Sequence, residues 1–187
     1  VVQENVKDVF LEKLKRKMSV LRVGNSLDKC VDVGAIVDKV QYERVSEYIR
    51  IAREEEHASI FQSSLGDADV AHGYFIPPTL IWDVQTSSRL VQEEIFGPVL
   101  TVQTFRSPAE AVALANNTRF GLAASVHSES IGLAMEVAMS VKAGVVWVNS
   151  HNMFDAASGF GGYKESGFGR EGGKEGLYMY AKLPTAH

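Results

Sequence analysis

The chain has 187 residues, 45% of them hydrophobic and 22% charged, with a formal net charge of -4. That size fits one ordinary domain with a real core, and the balance excludes a disordered or fibrous chain. The mildly acidic total gives no electrostatic reason to expect nucleic acid or an anionic membrane surface as a partner, and no apolar run approaches the ~20 residues a membrane helix needs.

Residues 5–21 are predicted to be helical. Asn5 can cap the helix, and Val6, Phe10, Leu14 and Met18 recur every four residues beside Val9 and Leu21. Lys13, Lys15, Arg16 and Lys17 then form a solvated face. Turn formers crowd residues 24–36, a predicted loop that holds Cys30, the only cysteine. One cysteine forms no internal disulfide, so an oxidising compartment has no support. Asp38 should cap a second helix reaching about residue 58, with Val45, Ile49 and Ala52 inward. Strands are predicted over 76–84 and 99–105, and a helix over 108–115 with Ser107 as cap and Pro108 in its first turn. A strand over 122–127, a helix over 130–140 and a nearly all-apolar strand over 144–149 follow. Apolar strands separated by helices point to a mostly parallel sheet covered on both faces, so the class is α/β. A short helix from residue 175 toward 183 and a terminal strand complete the prediction.

Residues 159–173 hold seven glycines in fifteen positions, a loop shaped by backbone freedom. Within it Gly167-Phe168-Gly169-Arg170-Glu171-Gly172 spells G-x-G-x-x-G. That pattern binds a dinucleotide only with a strand before it, a helix after it and an acid about twenty residues on. Here a glycine-rich loop precedes it and fifteen residues remain, so it is set aside. The five histidines show no metal-ligand spacing, and no Gly-x-Ser-x-Gly elbow supports a serine hydrolase. Glu93-Glu94-Ile95-Phe96-Gly97-Pro98 offers more. A carboxylate can accept hydrogen bonds from two ribose hydroxyls, and an aromatic two residues on can pack a flat ring. A helix end with a solvated acid and a core phenylalanine is the competing account.

That segment, EEIFGPV, resembles the signature of the aldehyde dehydrogenase superfamily. The likeness extends through Gly73-Tyr74-Phe75-Ile76-Pro77-Pro78-Thr79, Ala115-Asn116-Asn117-Thr118-Arg119-Phe120-Gly121-Leu122, Trp147-Val148-Asn149 and Phe160-Gly161-Gly162-Tyr163-Lys164-Glu165-Ser166-Gly167. The glycine-dense block with Arg170-Glu171-Gly172-Gly173 leans toward long members that carry a second dehydrogenase-like domain. The resemblance implies an NAD- or NADP-dependent enzyme oxidising a small-molecule aldehyde to a carboxylic acid. A cysteine thiolate would form a thiohemiacetal, hydride would pass to the nicotinamide, and glutamate-activated water would hydrolyse the thioester.

It also implies residue roles. Glu94 corresponds to the glutamate on the nicotinamide ribose, and Phe96 to the phenylalanine near the nicotinamide. Gln41 and Arg44 correspond to positions that reach the adenosine ribose, with a solvated helix face as the alternative. Phe154 and Phe160 correspond to aromatics of the aldehyde tunnel, while Asn149, Gly161, Gly162 and Glu171 shape the site. The nucleophilic cysteine and the general-base glutamate are expected upstream of Val1; the chain starts without Met or a signal-peptide pattern, as a piece of a longer protein would. Cys30 is expected to be a bystander. Residues 1–165 would form most of the catalytic domain and 166–187 a tail ending in an oligomerisation strand. A homo-oligomer, dimer or tetramer, is expected, in the cytoplasm or a mitochondrion. The rival is a catalytically inactive dehydrogenase-like scaffold acting as an interaction domain.

Overall fold

The computed structural model describes residues 1–66 and 72–182, and the chain divides into two units, Val1–Arg106 and Ser107–His187. The first unit is built on three paired strands: β2 (Ser59–Gln62) runs antiparallel to β3 (Thr79–Trp82), which runs parallel to β4 (Val99–Val102). Successive side chains of a strand point to opposite faces. Leu80 therefore packs with Leu11, Met18 and Val102, whereas Ile81 packs with Val45, Tyr48, Ile49 and Ile95. The helices that supply those residues, α1 (Lys7–Ser19) and α2 (Lys39–Arg50), join the two clusters on either side of β3. The predicted cover on both faces is present here.

The helix ends follow local chemistry in one case and not in the other. Asp38 caps α2 as predicted, its carboxylate accepting from the Gln41 N–H at 2.8 Å. Past Arg50 the helical chain widens into a π turn over Ile51–Glu55. Asn5 does not cap α1: it lies in a 3-10 turn, Glu4–Val6, and Val6 takes the cap position with no side-chain bond. The preceding residues are held elsewhere. Strand β1 (Val2–Gln3) pairs in parallel with β5 (Thr104–Phe105), and the Arg106 guanidinium grips Glu4 at 2.7 and 3.1 Å. The predicted apolar stripe also shifts. A strict four-residue repeat drifts by about 40° per step on a 3.6-residue turn, so Leu11, half-buried Leu14 and Met18 form the seam, while Val6, Val9 and Phe10 are exposed.

In the second unit β7 (Ala123–Val126) and β8 (Val145–Val148) pair in parallel with α5 (Ile131–Ser140) between them in sequence. Ser107 caps α4 (Pro108–Asn116) and Ser130 caps α5. The predicted strand over 122–127 is present as β7, and just before it β6 (Phe120–Gly121) pairs antiparallel with β9 (Tyr163–Lys164). The last described helix, α6 (Gly173–Tyr178), starts earlier and ends sooner than expected. The expected terminal strand falls at residues 183–187, outside the described residues. Strand β2 and the short helix α3 (Arg89–Gln92) were not predicted. Among the described residues three of the five strand pairings are parallel, in keeping with the α/β class.

Candidate functional site

Residues 93–98 join α3 to β4, and their two adjacent glutamates have different fates. Glu93 is occupied by its neighbours. Tyr48 Oη donates to it at 2.6 Å, and Arg89 donates from Nε and Nη2 at 2.9 and 3.1 Å. Donating to the Glu93 carboxylate in turn pushes the Arg89 guanidinium above its ordinary range. Glu94 is exposed, and no hydrogen bond or ion pair reaches its carboxylate among the described residues.

Ile95 is buried in the α2 cluster, but Phe96 leaves it. The Phe96 backbone has φ = 57° and the residue is 71% exposed. The left-handed region costs a bulky residue about 1–2 kcal/mol, and ring burial does not offset it. Backbone capture does. Gln41 Nε2 donates to the Ile95 and Phe96 carbonyls at 3.0 and 3.1 Å. The Thr79 N–H donates to the Pro98 carbonyl at 2.8 Å. At Gly97 a Cβ would lie 2.7 and 2.9 Å from the Val45 methyls. Strain held in place by surrounding structure, on an exposed aromatic, marks a positioned group. Gly97→Ala should therefore lower stability by about 1–3 kcal/mol, since Val45 is fully buried. Urea unfolding checks this, and an unchanged midpoint would mean the loop can shift freely.

Of the predicted cofactor residues, Glu94, Phe96 and Gln41 come together, with Gln41 serving the loop through its amide. Arg44 is exposed on α2, its guanidinium 6.0 Å from the Tyr48 ring centre, and it pairs with no carboxylate among the described residues.

In the second unit the chain leaving β8 builds a row of aromatic rings. Trp147, buried, donates from Nε1 to the Met153 carbonyl at 3.0 Å. Its ring meets His151 and Phe154 edge-on, each at 5.5 Å, and Phe154 meets Phe160 edge-on at 5.0 Å. Left-handed Asn149 and Asn152 (φ 51° and 54°) let the chain reverse within this row. The Asn149 side chain accepts from the Ser128 N–H at 2.9 Å and donates to the Ser128 carbonyl at 3.0 Å. The His151 ring lies 2.7 Å, Nδ1 to Oγ, from Ser125. Phe160 is pinned by a two-bond bridge with Glu171, at 2.7 and 2.8 Å. Arg170 Nη1 donates to the Gly162 and Gly169 carbonyls, both at 2.8 Å. The two ends of the glycine block, 159–162 and 170–173, thus pack around Phe160, whereas Phe168 between them is exposed. Phe154 stays 63% exposed and Phe160 half-buried, leaving an apolar surface that can seat a carbon chain and displace water.

Three contributing residues went unassigned from sequence: Tyr48, Trp147 as the hub of the row, and His151. For Tyr48 a signal existed, since it lies seven residues after Gln41 on the same helix face. Cys30 is exposed in the α1–α2 loop, and its thiol has no partner among the described residues. Among the described residues no cluster of His, Cys, Asp or Glu could hold a metal ion, and no helix is long and apolar enough to cross a membrane.

The sequence model of the aldehyde dehydrogenase family matches residues 1–185. An aldehyde dehydrogenase of Emericella nidulans is 39% identical over 187 residues, covering all of this chain and 37% of that protein. Aldehyde dehydrogenase 1 of Saccharomyces cerevisiae, named for NAD(P)+, is 40% identical over 190 residues, covering all of this chain and 38% of that protein. The crystal structure of betaine aldehyde dehydrogenase from Staphylococcus aureus in complex with NAD+ superposes with a TM-score of 0.89 at 40% identity. That match covers 96% of this chain and 36% of the staphylococcal one. The chain spans little more than a third of the length of these relatives. With the family model matching residues 1–185 and the structural match covering 96% of its length, this chain belongs to the aldehyde dehydrogenase family.

Proposed function

We propose that this chain supplies the nicotinamide clamp and much of the aldehyde-binding wall of an NAD(P)-dependent aldehyde dehydrogenase, which as an intact protein oxidises an aldehyde to a carboxylic acid. One observation carries this: Glu93 is saturated by Tyr48 and Arg89, while Glu94 is left exposed beside a ring that the backbone holds out. A carboxylate with free lone pairs fits two ribose hydroxyls, and an open aromatic face fits a flat heterocycle. The residues present therefore fit NAD or NADP, and the cofactors named for the yeast and staphylococcal relatives support that choice.

When bound, the cofactor supplies the hydride acceptor. Glu94 would accept from the ribose hydroxyls and limit rotation of the nicotinamide end. Phe96 would cover one face of that end. Phe154 and Phe160 would seat the carbon chain of the aldehyde and keep water from it. Arg44 would be available to the adenosine ribose. The nucleophilic cysteine and general-base glutamate are assigned to sequence before Val1, and Cys30 has no part in the chemistry. Residues 1–165 are assigned to the catalytic domain and 166–187 to a tail whose terminal strand would pair between subunits of a dimer or tetramer. The proposed setting is the cytoplasm or a mitochondrion.

The test is aldehyde-dependent reduction of NAD+ or NADP+ by the intact protein. Reduced cofactor formed in step with carboxylic acid is the expected result. Cofactor binding without reduction, across short, bulky and aromatic aldehydes, would replace the enzyme with an inactive scaffold. Within the same assay, Phe160→Ala should cut kcat/KM for bulky aldehydes on the order of ten-fold relative to acetaldehyde, at unchanged cofactor affinity. An equal ratio for both substrates would remove Phe160 from the aldehyde wall.

A further inference from the structure

Three successive points of the 93–98 loop are gripped from one face of α2. We propose that α2 is a positioning element for hydride transfer: Gln41 and Tyr48 set the conformation of the loop, and so the aim of Glu94 and Phe96, without touching the cofactor themselves. This rests on Glu94 and Phe96 being the nicotinamide clamp.

Gln41, Val45 and Tyr48 stand at i, i+4 and i+7, one stripe of the helix. Tyr48 holds the Glu93 side chain, Gln41 holds the Ile95 and Phe96 carbonyls, and Val45 meets the Gly97 backbone. The two carbonyls that Gln41 holds belong to the peptides on either side of the Phe96 Cα. Fixing both peptides to one nitrogen fixes the φ and ψ between them, at the residue where the left-handed backbone is found. A side-chain amide has two N–H donors, and both are spent here. Gln41 consequently has no donor left for a ribose oxygen; its nitrogen is committed to the loop, which makes it a brace.

Tyr48 completes the arrangement at the other end of the loop. The Arg89 and Arg44 guanidiniums lie 5.5 and 6.0 Å from its ring centre, and its hydroxyl donates to Glu93. With Arg89 also paired to Glu93, that charge is compensated next to Glu94. Glu94 is then free to answer to the cofactor alone.

The experiment uses the intact protein with three substitutions. Gln41→Met keeps the length and removes both donors; Tyr48→Phe keeps the ring and removes the hydroxyl; Gln41→Lys restores a donating nitrogen. Three quantities are read: the single-turnover rate of hydride transfer at saturating NAD+, the calorimetric affinity for NAD+, and the affinity for ADP, which keeps the adenosine ribose and lacks the nicotinamide and its ribose. Gln41→Met should slow hydride transfer on the order of ten-fold, as expected for the loss of one or two modest hydrogen bonds, and weaken NAD+ binding while leaving ADP binding unchanged. Tyr48→Phe should shift the same quantities in the same direction by less, and Gln41→Lys should recover part of the rate. Weaker ADP binding with an unchanged rate at saturation would make Gln41 a ligand of the adenosine ribose and overturn the proposal. Unchanged values in both Gln41→Met and Tyr48→Phe, with hydride transfer slowed by Glu94→Gln, would leave the clamp standing and remove the brace. No effect from Glu94→Gln would remove the clamp, and the brace with it.

Discussion

Glu94→Gln in the intact protein should slow hydride transfer on the order of ten- to a hundred-fold and leave thermal stability unchanged. A hydrogen bond to a charged acceptor contributes about 1.5–3 kcal/mol, and each 1.36 kcal/mol in a barrier is about a factor of ten in rate. The amide keeps the shape of the carboxylate but offers one acceptor oxygen in place of two. Stability should not move, because the Glu94 side chain is exposed and no partner reaches it among the described residues. The same change one residue earlier should act on stability as well. Glu93→Gln breaks the pairing with Arg89 and weakens the bond from Tyr48, so the melting temperature should fall by an amount equivalent to about 1–2 kcal/mol. Of two neighbouring, chemically identical substitutions, the first thus moves rate alone, whereas the second lowers stability and slows hydride transfer only through the loop. If Glu94→Gln melts early and turns over normally, the assignment of the two glutamates is inverted.

Gly144→Ala should be the most damaging single methyl in the second unit. A Cβ at that position would lie 1.7 Å from the Gly161 carbonyl oxygen and 2.7 Å from its carbon. Both are backbone atoms, so no rotamer change relieves the contact. The segment carrying Gly161 and Gly162 must move, and Phe160 is its neighbour in sequence. Overpacking of this kind costs about 1–3 kcal/mol, occasionally more, and this overlap belongs at or above the upper end. The expected phenotype is a lowered melting temperature together with a changed preference among aldehydes. Gly132→Ala is the control: its Cβ would meet nothing within 4 Å, inside helix α5. There, stability should be unchanged or rise by up to about 1 kcal/mol. Equal effects at both glycines would show that the 159–173 segment does not pack as described.

What could be read from the sequence was what short-range chemistry decides. Asp38, Ser107 and Ser130 announce their helices because each side chain accepts from an N–H two or three residues on within the same turn. The apolar runs of β4, β7 and β8 likewise carry their own signal. Strand β2 does not: Ser59 and Gln62 are polar, and its strand character comes from pairing with β3, some twenty residues away. The drift of the α1 seam could be read only against its partners on β3 and β4.

The site divides in the same way. Glu94 and Phe96 were legible as a motif, yet nothing local distinguishes Glu93 from Glu94. Tyr48, 45 residues away, makes that choice. Nor does sequence suggest a left-handed phenylalanine, since the local preference opposes it and only the grip of Gln41 and the close fit at Gly97 account for it. In the second unit Phe154 and Phe160 were found through family likeness, whereas their contact through Trp147 and His151 depends on the chain reversal at Asn149 and Asn152.

The most direct test of the nicotinamide clamp is a crystal structure of the intact protein with NAD+ bound. The expected result places the Glu94 carboxylate within hydrogen-bonding distance of the nicotinamide-ribose hydroxyls and the Phe96 ring against the nicotinamide end, with the Gln41 amide still on the Ile95 and Phe96 carbonyls. A nicotinamide ribose held by other side chains, with Glu94 left in water, would contradict it.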